Sequence, residues 1–385
     1  MDTTTTTDGK IVCRICGRHF KALPVHLNSK HGITADDYRA KFPDAPILAD
    51  GLRDEFNPFK NQGKATATAS RAAANALAAE ADDIHPVDPD FENDRLYFGS
   101  QSLKIRKADD HPFIPKHDPG YVVDPNDERL EVIAYCIRTK QALYLVGDTG
   151  CGKTSLLKEV AAMVNQPIRH ISLSHDTDGS HFIGEDAIDV KDGAPVTTFK
   201  PGILIKAMIE GSWLICDEMD AASSGTILCL QQILNDGYFT VPNTGEIIVP
   251  HKLFRILATG NTVGKGEGGV VYDGTHILNE ASIDRFRVYR TEYPSEEVEV
   301  EILKKLGVDP KLASKMVKIA RDVRQGFKNE DCACTFSTRK LIAWGRSIQD
   351  LKNFKLASKL SVLDRLTEDR DFVDGVIQRH IPGSL

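Results

Sequence analysis

A chain of 385 residues, 41% apolar and 27% charged, has the length of two or three domains and the composition of an ordinary globular protein. No run approaches eighteen apolar residues and the start MDTTTTTDGK lacks an apolar stretch, so neither a membrane span nor secretion is expected and the chain is read as cytoplasmic. The net charge of −7 argues against a protein that coats nucleic acid along its whole surface, and eight cysteines, scattered except for one C-x-x-C, suit a reducing compartment.

The first element is VCRICGRHFKALPVHLNSKH. Cys13, Cys16, His26 and His31 follow the pattern C-x2-C-x9-H-x4-H. Two thiolates and two imidazoles make the closed tetrahedral shell of a structural Zn²⁺, and so small a unit needs the metal to fold. A plain turn with two free thiols is the alternative. His19 lies off the spacing and is read as a solvated loop residue. Residues 10–31 carry five Lys or Arg and no acid. Arg14, Arg18, Lys21 and Lys30 could therefore meet DNA phosphates, which position without specifying, and a surface that docks on protein is an equal alternative. Thr34 can cap a short helix that Pro43 ends, which places the finger unit at 10–48.

Between Ala65 and Ala81 ten of seventeen residues are alanine, with almost no large apolar side chain to bury. The expected linker spans 49–96. Residues 83–126 are rich in Pro, Asp and His and read as an irregular strap laid over a domain.

From about residue 127 the pattern becomes βαβ. A helical stretch leads to the apolar strand ALYLVG, a helix from Gly152 to Val164, and strands IRHISL, WLICDE and FRILATGN. Strands alternating with helices imply a mainly parallel sheet covered on both faces. Two hairpins interrupt it, AIDVKDGAPVTTF with a turn at Asp192 and Gly193, and YFTVPNTGEIIVP with a turn from Asn243 to Gly245. Beyond about residue 293 the periodicity is helical, in EEVEVEILKKL, KLASKMVKIARDVRQGF and STRKLIAWGRSIQDL. The expected boundaries are 97–292 for the α/β domain and 293–385 for a helical one.

GDTGCGKT, comprising Gly147, Asp148, Thr149, Gly150, Cys151, Gly152, Lys153 and Thr154, fits G-x-x-x-x-G-K-[ST] between a strand and a helix. Its glycines let backbone N–H groups close around phosphate oxygens, aided by the helix N-terminus. Lys153 would reach the β and γ phosphates and Thr154 would ligate Mg²⁺. WLICDE ends in two acids, Asp217 to hold Mg²⁺ and Glu218 to polarise an attacking water. Asn261, closing FRILATGN, could orient that water. Arg285 follows a short helix and Arg339 opens another, and a guanidinium suits charge developing on a γ phosphate.

Together these residues resemble the AAA+ ATPases. The resemblance covers about residues 97–350 and implies an α/β fold, an AAA+ P-loop domain with a parallel sheet covered by helices and a C-terminal helical lid domain, plus the small N-terminal zinc finger. It makes GDTGCGKT Walker A, Leu214 to Glu218 Walker B, Asn261 sensor 1, Arg285 an arginine finger and Arg339 sensor 2, with ATP as the nucleotide. The extra hairpin AIDVKDGAPVTTF looks like the helix-2 insert of the MoxR and chelatase branch. HISLSHDTDGSHFIGEDAI, FKPGIL and HPFIPKHDPGYVVDP look most like the CobS family, ATPase subunits of aerobic cobaltochelatases. That implies a homo-oligomeric ring, a hexamer, with Arg285 acting in trans on the neighbour's nucleotide and Arg287 as its substitute. It also implies a von Willebrand A-domain partner. Readings within reach are a chelatase motor, a MoxR-like chaperone, and an ATPase directed to DNA by its finger. The finger, with HGITADDYRAKFP after it, resembles the Ros/MucR type of bacterial DNA-binding protein, a departure from CobS chains.

Overall fold

The computed structural model describes residues 11–20, 27, 31, 38, 41–42, 89–107, 111–177, 179–191, 194–242, 244–262 and 280–383. The Ala-rich linker, His26, the Asp192-Gly193 turn and Asn243 lie outside them. The chain divides into two compact units, Met1–Ala73 and Ala74–Leu385.

In the first unit, strands β1 (Ile11–Val12) and β2 (His19–Phe20) pair antiparallel. The intervening knuckle is closed by the Gly17 N–H donating to the Cys13 carbonyl at 2.7 Å and the Cys13 N–H donating to Arg18 at 2.9 Å.

The second unit opens with a hairpin, β3 (Phe91–Phe98) and β4 (Gln101–Arg106). It replaces part of the expected strap, and the expected boundary at 96/97 falls inside it. The charges of FENDRLYF hide the strand because only its last residue and the β4 positions Leu103 and Arg106 are buried. Helix α1 (Glu128–Thr139) packs beneath the hairpin and is capped by Asp127, which accepts from the Arg129 N–H.

The central sheet has five parallel strands in the order β13, β5, β12, β9, β6. These are β5 (Ala142–Gly147), β6 (Ile168–Ser172), β9 (Trp213–Asp217), β12 (Arg255–Gly260) and β13 (Phe286–Thr291). Central strands read as unbroken apolar runs because both faces are covered, and the first five residues of ALYLVG are buried. The fifth strand, FRVYRT, escaped the sequence reading because it is an edge strand, two of whose three exposed positions carry arginine. Helix α2 (Lys153–Met163) follows β5. A four-residue helix α3 (Gly179–Phe182) leads into the long hairpin β7 (Gly184–Lys191) and β8 (Ala194–Pro201). Helix α4 (Ile203–Glu210) precedes β9, and α5 (Ser224–Asp236), capped by Ser223, follows it. The second expected hairpin is short, β10 (Phe239–Thr240) with β11 (Ile247–Ile248), and α6 (Glu280–Ile283) leads into β13.

Among the described residues five α-helices follow: α7 (Glu296–Lys305), α8 (Pro310–Lys328), α9 (Thr338–Leu351), α10 (Phe354–Ser361) and α11 (Arg370–His380). Pro310 at the first turn and Asp309, accepting from the Lys311 and Leu312 N–H groups, start α8. Met316, Phe336, Trp344 and Ile377 fill a separate core between these helices. The buried Trp344 indole donates to Ser358 at 3.0 Å.

Candidate active site

In an open parallel sheet, ligands bind beyond the carboxyl ends of the strands. Four of the strands here end in groups that meet there. The glycine-rich loop leaves β5 and enters α2, with Gly150 at φ 74° and Gly152 at φ 94°, the left-handed region glycine occupies without steric cost. A Cβ at Gly150 would also sit 2.7 Å from the Ser337 Cβ, so the loop lies directly against the start of α9.

The Lys153 ammonium donates to the carbonyls of Gly147 at 2.6 Å and Asp148 at 3.0 Å and to the Asn261 Oδ1 at 3.3 Å. The Thr149 hydroxyl reaches the same amide oxygen at 3.3 Å. Lysine, loop and the amide ending β12 therefore converge on one point.

The Thr154 hydroxyl lies 3.0 Å from both carboxylate oxygens of Asp217. Thr259 donates to the same carboxylate, and the His170 Nε2 is 3.6 Å away. Burial pushes the Asp217 pKa up, but hydrogen bonds from His170, Thr259 and Thr154 outweigh it and hold the carboxyl well below the usual carboxylate range. An anionic oxygen beside a threonine hydroxyl suits Mg²⁺, a hard cation that keeps several waters and takes few protein ligands.

Glu218 follows at φ 56°, uncommon for a residue with a Cβ. Its exposed carboxylate accepts from the Ser172 hydroxyl at 3.0 Å. Asp220, buried, accepts the N–H groups of Asn261 at 2.8 Å and Thr262 at 3.0 Å on one oxygen. Sequence reading missed Ser172, His170, Thr259 and Asp220. The first three become visible only once the sheet order sets β6 and β12 on either side of β9. Asp220 left a signal, a third acid two residues after Glu218.

Beside the loop opens a cavity of about 620 Å³ with Gly150, Tyr121, Val123, Ile302, Ile342 and Arg339 in its walls, within the size range of small-molecule sites. Arg339 thus faces the glycine-rich loop from the helical domain. Arg285 does not. Phe286 pairs with Ala142 and Thr291 with Gly147, so Arg285, just before β13, stands at its opposite end, about 20 Å from the loop at 3.3 Å per residue. Its guanidinium donates to the Asn235 Oδ1 at 2.7 Å and to the Ala281 carbonyl. Arg287, which is exposed, donates to Gln141.

In the N-terminal unit, ligand atoms of Cys13, Cys16 and His31 lie within 4.8 Å of one another, with the Cys13 Sγ 3.7 Å from the His31 Nε2. Thiolate and imidazole donors at this spacing fit Zn²⁺. The buried Tyr38 hydroxyl accepts the Arg14 N–H at 2.8 Å, bracing the knuckle.

Residues 142–274 match the AAA domain of the dynein-related subfamily, and 297–379 match the CbbQ/NirQ/NorQ C-terminal family. The aerobic cobaltochelatase subunit CobS of a Sinorhizobium species is 32% identical over 264 residues, covering 66% of this chain and 79% of that protein. The chain is an AAA+ ATPase of the CobS/MoxR type. Residues 2–55 of this AAA+ protein match the ROS/MUCR transcriptional regulator family, so it carries a Ros/MucR-like N-terminal unit. Midasin of Dictyostelium discoideum is 27% identical over 299 residues, 74% of this chain and 5% of midasin. An uncharacterized protein of Staphylococcus haemolyticus is 31% identical over 237 residues, 60% of this chain and 86% of that protein. Among the described residues of this AAA+ ATPase no helix is long and apolar enough to cross a membrane.

Proposed function

We propose that the chain is an ATP-driven ring motor of the metal-chelatase type, which couples hydrolysis to remodelling of a partner protein. The observation that carries this reading is the meeting of Lys153, Thr154, Asp217, Glu218 and Asn261 at one sheet edge, with Arg339 across the cavity. In it, Lys153 and the loop hold the ATP phosphates while Thr154 and Asp217 hold Mg²⁺, which would neutralise phosphate charge. Glu218 polarises the attacking water and Asn261 orients it. Arg339 contributes positive charge from the lid, residues 293–385.

Arg285 completes the site of a neighbouring subunit. Its distance from its own loop supports a role in trans, as does its place, half-buried, just before the edge strand of the sheet. A hexamer is the ring this implies. The likeness to CobS supports a chelatase complex with a von Willebrand A-domain partner, and a MoxR-like chaperone working on such a partner is the nearest alternative. The finger, with Cys13, Cys16, His26 and His31 on Zn²⁺, acts as an adaptor.

Mixing Lys153→Ala and Arg285→Ala subunits tests the trans arrangement. Each is expected to be inactive alone, and the mixture should regain turnover at junctions that pair an intact loop with an intact arginine. No recovery in mixed rings contradicts it. The match to a transcriptional regulator family and the basic run in residues 10–31 favour a second reading, recruitment to DNA by the finger. That reading expects binding that weakens steeply with salt; absence of DNA affinity at low salt removes it.

A further inference from the structure

One chain of contacts, exposed at the glycine-rich loop and buried beyond Tyr293, runs from that loop into the helical domain through a residue no motif includes. The Tyr293 hydroxyl donates to the Thr149 carbonyl at 3.2 Å. Its ring is covered by the Arg324 guanidinium, 4.0 Å from the ring centre. Arg324 is fixed by two hydrogen bonds to Glu299, at 2.6 and 2.9 Å, and by one to the Phe336 carbonyl at 2.7 Å. Glu299, fully buried, also accepts from the Thr338 hydroxyl at 2.6 Å. Thr338 is the residue before Arg339.

Each link has a physical reason to be stiff. The Arg324–Glu299 pair is desolvated and bidentate, the geometry in which a guanidinium holds its place best. A cation over a tyrosine face is stabilised by the ring quadrupole. A tyrosine hydroxyl is protonated at neutral pH in any case, and burial pushes that of Tyr293 further up, to about 12. Tyr293 lies just before α7, where the chain passes from the sheet into the helical domain.

We propose that Tyr293 is a positioning residue that ties the phosphate loop to the lid, so that a shift of the loop at Thr149 is transmitted through Arg324, Glu299 and Thr338 to Arg339. The inference rests on the nucleotide-site reading above. It implies that loop occupancy and lid position change together.

Tyr293→Phe is the sharpest variant, because it deletes the hydroxyl while leaving ring, cation and buried ion pair in place. The hydroxyl also pairs with the Thr335 side chain, and turnover should fall about 3- to 10-fold, the cost of about one net hydrogen bond, with the KM for ATP moving less than about twofold. In an Arg339→Ala background the same substitution should cost less than about twofold, since the pathway ends there. Full additivity of the two losses, or wild-type turnover in Tyr293→Phe, overturns the proposal.

Hydrogen exchange without nucleotide tests the coupling independently of hydrolysis. Tyr293→Phe should speed exchange in both 147–153 and 338–342, and a change confined to one of them contradicts the link. If wild-type protein hydrolyses ATP in a Glu218-dependent way while Tyr293→Phe matches it in every assay, the site reading stands and only this inference fails.

Discussion

Removing the Asp220 carboxylate by Asp220→Ala tests how the sheet fixes Asn261. One oxygen of Asp220 accepts the N–H groups of Asn261 and Thr262, and the Thr262 hydroxyl at 3.3 Å. Leaving a buried donor without a partner costs roughly 1–3 kcal/mol. Asn261 and Thr262 are half-buried, so water takes over part of the role and the two N–H groups together should cost about 2–3 kcal/mol. For a unit of this size that lowers Tm by about 4–6 °C. The Asn261 side chain is aimed by its own backbone, so loosening it should reduce kcat about tenfold or more. Asp220→Asn keeps one acceptor oxygen and should retain most of both. Differential scanning calorimetry with steady-state phosphate release measures the two effects. An Asp220→Ala variant with unchanged Tm and kcat within twofold of wild type refutes the reasoning.

Further expectations concern a metal ligand in each of the two units. Cys13→Ser should remove bound zinc, read with a chromogenic chelator, and unfold the N-terminal unit, while ATP turnover by residues 142–380 stays within about twofold of wild type, since structural zinc stabilises only the unit it folds. The Asp217 pKa is lower folded than unfolded, so its contribution to stability is complete above the unfolded value near 4 and disappears as pH falls through the folded value. Urea midpoints of wild type and Asp217→Asn should therefore differ at pH 7, with wild type the more stable, and converge in strong acid. A gap that widens on acidification contradicts the ring of donors around this carboxylate.

The parts of the site written as contiguous chemistry were legible in the sequence. GDTGCGKT between an apolar strand and a helix, and acids closing WLICDE, declare themselves because phosphate binding needs a glycine turn and a helix start in a fixed order. The three buried central strands were equally plain, and the edge strand IRHISL was found from its two buried first residues. FRVYRT was not, because an edge strand needs no apolar run, and neither was FENDRLYF, whose hairpin buries little. Ser172, His170 and Thr259 reach Glu218 and Asp217 only through the order β12, β9, β6, which no local pattern encodes. Tyr293 is hidden for the same reason, since its partners lie at 149 and 324. For Arg285 the sequence suggested a finger, and the strand register puts it at the far end of β13 from its own loop.

ATP turnover and ATP binding measured side by side in wild type and Glu218→Gln test the central claim most directly. Wild type should hydrolyse ATP in a Mg²⁺-dependent way, and Glu218→Gln should bind ATP with similar affinity yet release phosphate at background rate. Undiminished hydrolysis in Glu218→Gln, or no ATP binding by either protein, contradicts it.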